Sequence, residues 1–236
     1  MISSALFAVF GLAATVIAAP SRPRMLAADD IILLGHGGTS KIIKATDYDA
    51  LETATSIPAQ ITSYNATSTP GLIRRGCQQS SEVQVMSDEE FLNWDVAISP
   101  VASSLEGSSA GISVSNGVEI SNSLTIGSEI TIGGSDIISV SLGMNLDMSW
   151  STSQENSLEF DIPANMYGVI VSQPFVRRVQ GNLFTGCTDN PTKTTFMADT
   201  YESQGYGQLA WVKGVIRLCT SKTYPIPYCI GEGQHK

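Results

Sequence analysis

Two short stretches have the residue types of a hydrolase. Gly107-Ser108-Ser109-Ala110-Gly111 has the spacing of a G-x-S-x-G nucleophile turn, and His36-Gly37-Gly38 has that of the start of an oxyanion loop. A serine in that role needs a strand before it, a helix after it, and then an acid and a histidine in chain order. Here a Ser-rich loop precedes the motif and a strand pattern follows it. The only downstream histidine is His235, one residue from the last, where order is least expected. With His36 and His235 the only histidines, no His-x-His or His-x-x-x-His pair exists to hold zinc. Asp29, Asp30, Asp47 and Asp49 lack the ligand order of a calcium loop. Glu106, Glu119, Glu129, Asp147, Glu155, Glu159 and Asp161 fall mostly on polar strand faces, where carboxylates meet water. The residues predict no catalytic site, no cofactor and no metal: the protein is not expected to be an enzyme.

The elements that would carry any site are strands. From Ile112 to Ile132 the even positions read Ile112, Val114, Val118, Ile120, Leu124, Ile126, Ile130 and Ile132, interrupted only by Asn116, Asn122 and Ser128. After Gly133-Gly134-Ser135-Asp136 the same parity resumes with Ile138, Val140, Leu142, Met144, Leu146, Met148 and Trp150. Successive side chains on a strand point to opposite faces, so this period of two gives one apolar face and one face of Ser, Thr and Asn. Two such runs across a Gly-Gly-Ser-Asp turn predict a β-hairpin whose arms exceed the usual five or six residues or so. A strand crossing a membrane needs about 9–11 residues with just this alternation. A soluble sandwich packing its even face on a second sheet explains the same pattern.

Around this hairpin the chain reads as mainly β. Ala5 to Ala18 is a short apolar run followed by small residues, which predicts a secretory signal over residues 1–18 and an extracellular protein. Ile31–Leu34 and Lys41–Lys44 predict short strands and Tyr48–Thr55 a helix, a small N-terminal α/β segment. Thr53–Gly71 is a Thr/Ser/Pro/Ala linker with a glycosylation sequon at Asn65-Ala66-Thr67. Arg74-Arg75 beside it is a candidate processing site, which would make residues 19–75 a pro-region and 76–236 the β-rich domain. Ser87 to Asn93 carries a capping-box pattern for a helical turn. Leu158–Ile162 and Leu209–Leu218 predict strands. Tyr167–Val171 predicts a strand buried on both faces that ends at Pro174, and Arg177-Arg178 falls within an apolar strand pattern. Cys77, Cys187, Cys219 and Cys229 predict two disulfides, with three pairings open. The net charge of −9 argues against a nucleic-acid partner, which needs a basic face.

The alternating arms, the return strand Ser157-Leu158-Glu159-Phe160-Asp161-Ile162-Pro163 and Tyr167-Gly168-Val169-Ile170-Val171 together resemble the insertion region of aerolysin and epsilon-toxin-like β-pore-forming proteins, over residues 101–180. That resemblance implies a long-stranded domain whose hairpin unfolds to build a homo-oligomeric barrel. Residues 90–236 also resemble small secreted, effector-like proteins of filamentous ascomycete fungi. The residues that carry this are Phe91–Pro100, Tyr167–Pro174, Gly205–Gly214 and Tyr224-Pro225-Ile226-Pro227-Tyr228-Cys229. It implies secretion and a role at a host interface. The fold expected is therefore long antiparallel strands with an extended amphipathic hairpin, aerolysin-like or an elongated sandwich. The partner expected is a target surface, membrane or glycan. The competing class is a carbohydrate- or wall-binding sandwich with Trp94, Trp211, Tyr206 or Tyr224 as platforms.

Overall fold

The computed structural model describes residues 25–55, 79–104, 107–127, 134–152, 158–207 and 209–236. The predicted signal, Asn65, Arg74, Arg75, Cys77, Ile130 and Ile132 lie outside them. In chain order the elements are β1 (Met25–Leu26), β2 (Asp30–Leu34), β3 (Ser40–Lys44), α1 (Ala45–Thr55), β4 (Gln79–Leu92), β5 (Val96–Ala97), β6 (Ala102–Ser103), β7 (Ala110–Ser113), β8 (Glu119–Ser121), β9 (Ser123–Ile126), α2 (Gly134–Leu142), β10 (Ser149–Ser151), β11 (Glu159–Ile162), β12 (Tyr167–Cys187), β13 (Asn190–Tyr201), β14 (Ser203–Tyr206), β15 (Leu209–Val212), β16 (Gly214–Ser221), β17 (Ile226–Pro227) and β18 (Gln234–His235). The protein is mainly β, with long antiparallel strands and a small α/β segment at the N-terminal side.

Strand β12 organises the fold. It has 21 residues and changes partners halfway along. Its first half, Tyr167 to Pro174, pairs with β16 on one side and with β5 and β6 on the other. Beyond β16 lie β2 and β3. Its second half, Phe175 to Cys187, pairs with β4 on one side and β13 on the other. The predicted strand therefore does not stop at Pro174. Proline cannot donate to a ladder, and here no donor is needed. The Pro174 carbonyl accepts from Asn93 N–H, and the Phe175 N–H donates to Lys213 O. Gly214 faces Pro174 with φ 151°, and a Cβ there would lie 2.2 Å from Gln173 O. The predicted strand Leu209–Leu218 is broken at Lys213, between β15 and β16.

The first half of β12 is buried on both faces, as its sequence predicts. Ile170 faces a core with Phe160, Trp211, Ile216 and Leu26, while Val169 and Val171 face Cys219 and Ile226. Helix α1 docks Tyr48 against Ile31 and Val215, and burial pushes the Tyr48 phenol up to about 12. The second half forms a three-stranded ribbon with β4 and β13. Gly181 marks a bulge opposite β4, where a Cβ would meet Gln84 O at 2.3 Å and the Phe196 ring at 2.8 Å.

The predicted helical turn at Ser87–Asn93 is instead the end of β4. Glu89 and Glu90 stand opposite Arg178 and Arg177, and Arg177 binds Asp88 through two hydrogen bonds. Cross-strand pairing thus overrides the local capping signal. Arg178 forms the matching bidentate pair with Asp199 and lies over the Phe91 ring. Cys219 and Cys229 form a disulfide, and Cys187 is disulfide-bonded as well.

Candidate functional site

Residues 112–150 carry the alternating pattern, and their described parts fold as β7, β8, β9, helix α2 and β10. Only the bases of the two predicted arms pair as a hairpin would, β8 with β10 from Glu119–Ser151 to Ser121–Ser149; Ser123–Ile126 and Gly134–Leu142 part company as a strand and a helix. The long hairpin of the molecule is β12–β13, which turns at Thr188-Asp189 between the paired Cys187 and Asn190. Gly133 to Asp136 was expected to be the turn between the arms, but Gly134 already begins α2. Ile138 and Leu142 are four apart, so the same residues that alternate also share a helix face. Asp136 lies in the first turn, where a carboxylate suits the helix dipole. Gly143, with φ 62°, ends the helix. Met144 N–H donates to Ser139 O and Gly143 N–H lies 3.4 Å from Val140 O, the two bonds of a Schellman cap. That glycine is the sequence signal that distinguishes helix from strand here.

The apolar positions divide between two cores. Ile112 and Val114 are buried in the core around Phe160, with Val118, Ile120 and Trp150 packed beside it. Ile112 stands opposite Phe160 in the β7–β11 pair. Ile138 and Met144 are buried against Val179, Leu183 and Phe196 of the ribbon, with Leu124, Ile126, Leu142 and Leu146 alongside. The part that carries Leu124, Ile126, Ile138, Leu142, Met144 and Leu146 is therefore the cover on the ribbon's apolar face. Val140 and Met148 are left outside, Val140 at 84% exposure.

Polar clamps hold the cover in place. Asn122, one of the residues that breaks the apolar alternation, is buried and joins three strands of chain. Its Nδ2 donates to Asn145 O at 2.6 Å, and its Oδ1 accepts from Tyr201 N–H of β13 at 2.8 Å. Thr152 is buried too, donating to Ser115 O and accepting from Val118 N–H. Trp150 meets Tyr201 edge-on at 6.3 Å, and burial raises the Tyr201 phenol pKa. Strand β9 adds backbone pairing to β13 from Ser123–Asp199 to Ile126–Phe196. A recess of about 220 Å³ lies where Asn122, Met144 and Met148 meet Glu90, Arg177 and Tyr201. The sequence marks Asn122 only as an interruption, because its partners are distant in the chain.

The hydrolase residues are not arranged as a nucleophile elbow. Ser109 leads into strand β7, where an elbow requires a helix. His235, expected to be poorly ordered, is buried in β18 and packs on the Tyr228 ring at 4.4 Å between centroids. Of the expected aromatic platforms, Trp211 is fully buried and donates its indole N–H to Ser172, whereas Trp94 and Tyr224 are exposed. No protein-family model, curated protein or solved structure matches the chain.

Proposed function

We propose that this is a secreted, non-enzymatic, toxin-like protein that acts on a target membrane by re-forming residues 112–150 as an inserted β-hairpin. One observation carries the reading: a segment with a sustained period of two is held partly as a helix. Residues 138–142 satisfy both periods, and in the helical form the even-face Val140 points into water. In a hairpin Val140 would join Ile138 and Leu142 on one apolar face, and the Ser/Thr face would line water. The segment meets the central sheet only at its edge, where β9 pairs with β13, so its departure leaves β12 paired on both sides. Its departure would bare Val179, Leu183 and Phe196 of the ribbon and Phe160 of the other core, each worth about 1.5–3 kcal/mol in burial. Lipid contact and association with further copies would have to offset that. A hairpin contributing two strands also requires several copies to close a barrel.

The test is a cross-link between cover and ribbon. Thr125 and Met197 are opposite each other in the β9–β13 pair, where Cα atoms lie about 4.5–5.5 Å apart, within disulfide range. A Thr125→Cys/Met197→Cys variant, once oxidised, should fold and release no dye from liposomes or protoplasts that the wild-type protein permeabilises. The single variant Thr125→Cys should release it normally. Undiminished release from the cross-linked form would sink the proposal.

A second reading has its own observation. Tyr224 is half exposed and lies 5.7 Å from Tyr167, beside a recess of about 410 Å³ lined by Pro100, Val101, Ala102 and Ser103. Two aromatic faces with a few polar groups suit a sugar ring. If the wild-type protein releases no dye, a glycan array with wild type and Tyr224→Ala tests this carbohydrate-binding alternative.

A further inference from the structure

On the far side of the first half of β12, a buried acid stands beside the Cys219–Cys229 disulfide. Asp95 follows the end of β4 and is 6% exposed. Its Oδ1 accepts from Gln173 Nε2 at 2.8 Å, and its Oδ2 accepts from Cys229 N–H. Ile230 N–H also reaches the carboxylate, at 3.3 Å. The Cys219 sulfur lies 3.5 Å from Oδ2, a contact without a proton because the sulfur is bonded to Cys229. One ligand atom each from Asp95, Cys219 and Cys229 fall within 4.8 Å of one another. His235 lies beside this group and outside its 4.8 Å limit: its Nε2 is 3.6 Å from Asp95 Oδ2, is buried, and has no hydrogen-bond partner. A buried ring nitrogen without a partner is uncommon and asks for a proton donor or a metal.

We propose that reduction of Cys219–Cys229 turns this cluster into a zinc site with two thiolates, the Asp95 carboxylate and His235 Nε2. Two thiolates, an imidazole and a carboxylate are all zinc donors. Bonds of about 2.0–2.3 Å in a tetrahedron place donors roughly 3.3–3.8 Å apart. The Asp95–Cys219 and Asp95–His235 separations already have that length. The two sulfurs must part, which breaking their bond allows, and the His235 imidazole must close on them. The step balances: a dithiol supplies two electrons and two protons, leaving as a disulfide, and Zn²⁺ then displaces the two thiol protons. Gln173 fixes the carboxylate through Oδ1, and the Tyr228 ring fixes the imidazole plane, as outer groups do in metal sites. Cys229 is exposed, so a reductant can reach the bond. The disulfide then belongs to oxidising surroundings and the metal form to reducing ones. This inference stands apart from the membrane reading.

The experiment is metal titration of the full chain before and after reduction by a phosphine without air, with Zn²⁺ and then Co²⁺ as probes. Before reduction no tight binding is expected. After it, one Zn²⁺ per chain should bind, and Co²⁺ should give thiolate charge-transfer and tetrahedral d–d absorption. His235→Gln and Asp95→Asn should each weaken binding by at least tenfold. Reduced, folded protein that binds no Zn²⁺, or binds it with an affinity unmoved by His235→Gln, overturns the proposal, since the metal would then sit on other thiols. If reduction unfolds the chain, one equivalent of Zn²⁺ should restore its far-UV circular dichroism. Failure to do so also overturns the proposal.

Discussion

The two halves of β12 share one strand and differ in what covers them. Along Tyr167–Pro174 both faces are closed by several separate elements: Phe160 of β11 and Trp211 of β15, with Ile112 and Val114, on one face, and Cys219 of β16 and Ile226 of β17 on the other. Along Phe175–Cys187 the apolar face is closed by Ile138, Met144, Leu124 and Ile126, all from one contiguous segment. The first cover comes from separate elements spread along the chain and cannot leave as one piece. The second is a single piece of chain, held by the β9 pairing, the Asn122 and Thr152 clamps and one helix face. The difference teaches where a conformational change of this protein can occur with β12 intact.

The largest expected effect lies in the first half. Phe160→Ala removes a fully buried ring and should lower global stability by about 3–5 kcal/mol, seen as an earlier denaturation midpoint for every probe. Ile138→Ala, equally buried but in the cover, should lower the stability of the cover by about 2–5 kcal/mol. Hydrogen exchange should then show lost protection at 124–127 and 134–144 while the amides of 169–173 stay protected. If 169–173 lost protection equally, the two halves would be one unit and the comparison would fail. Asn122→Ala leaves Tyr201 N–H and Asn145 O without their partner, and should weaken the cover by about 1–3 kcal/mol. Faster dye release by this variant would show the clamp restraining the segment; slower release would mean that Asn122 serves the inserted form.

Much of this was legible in the sequence. Strands β2, β3 and β11, helix α1, the double-sided burial of Tyr167–Val171 and the turn after Cys187 follow from local periodicity and turn residues. Four features did not. Ser87–Asn93 carries a helix cap but answers to Arg177 and Arg178, some ninety residues away. Pro174 reads as a terminator because the alternative acceptor for Phe175 N–H, Lys213 O, is supplied by a distant loop. Residues 134–142 alternate and also repeat at four, and only Gly143 at the cap position decides between the two. The buried group of Asp95, Gln173 and His235 has no local signature at all, since a strand, a loop and the last few residues meet there.

Val140 offers the most direct measurement. It is 84% exposed, so Val140→Lys should change the stability of the soluble fold by no more than about 0.5 kcal/mol. On the lipid face of a barrel near the midplane, the same lysine costs roughly 2–4 kcal/mol per copy. Thermal denaturation and dye release measured side by side should therefore give an unchanged midpoint and a loss of release. An unchanged midpoint with wild-type release would contradict insertion of residues 112–150.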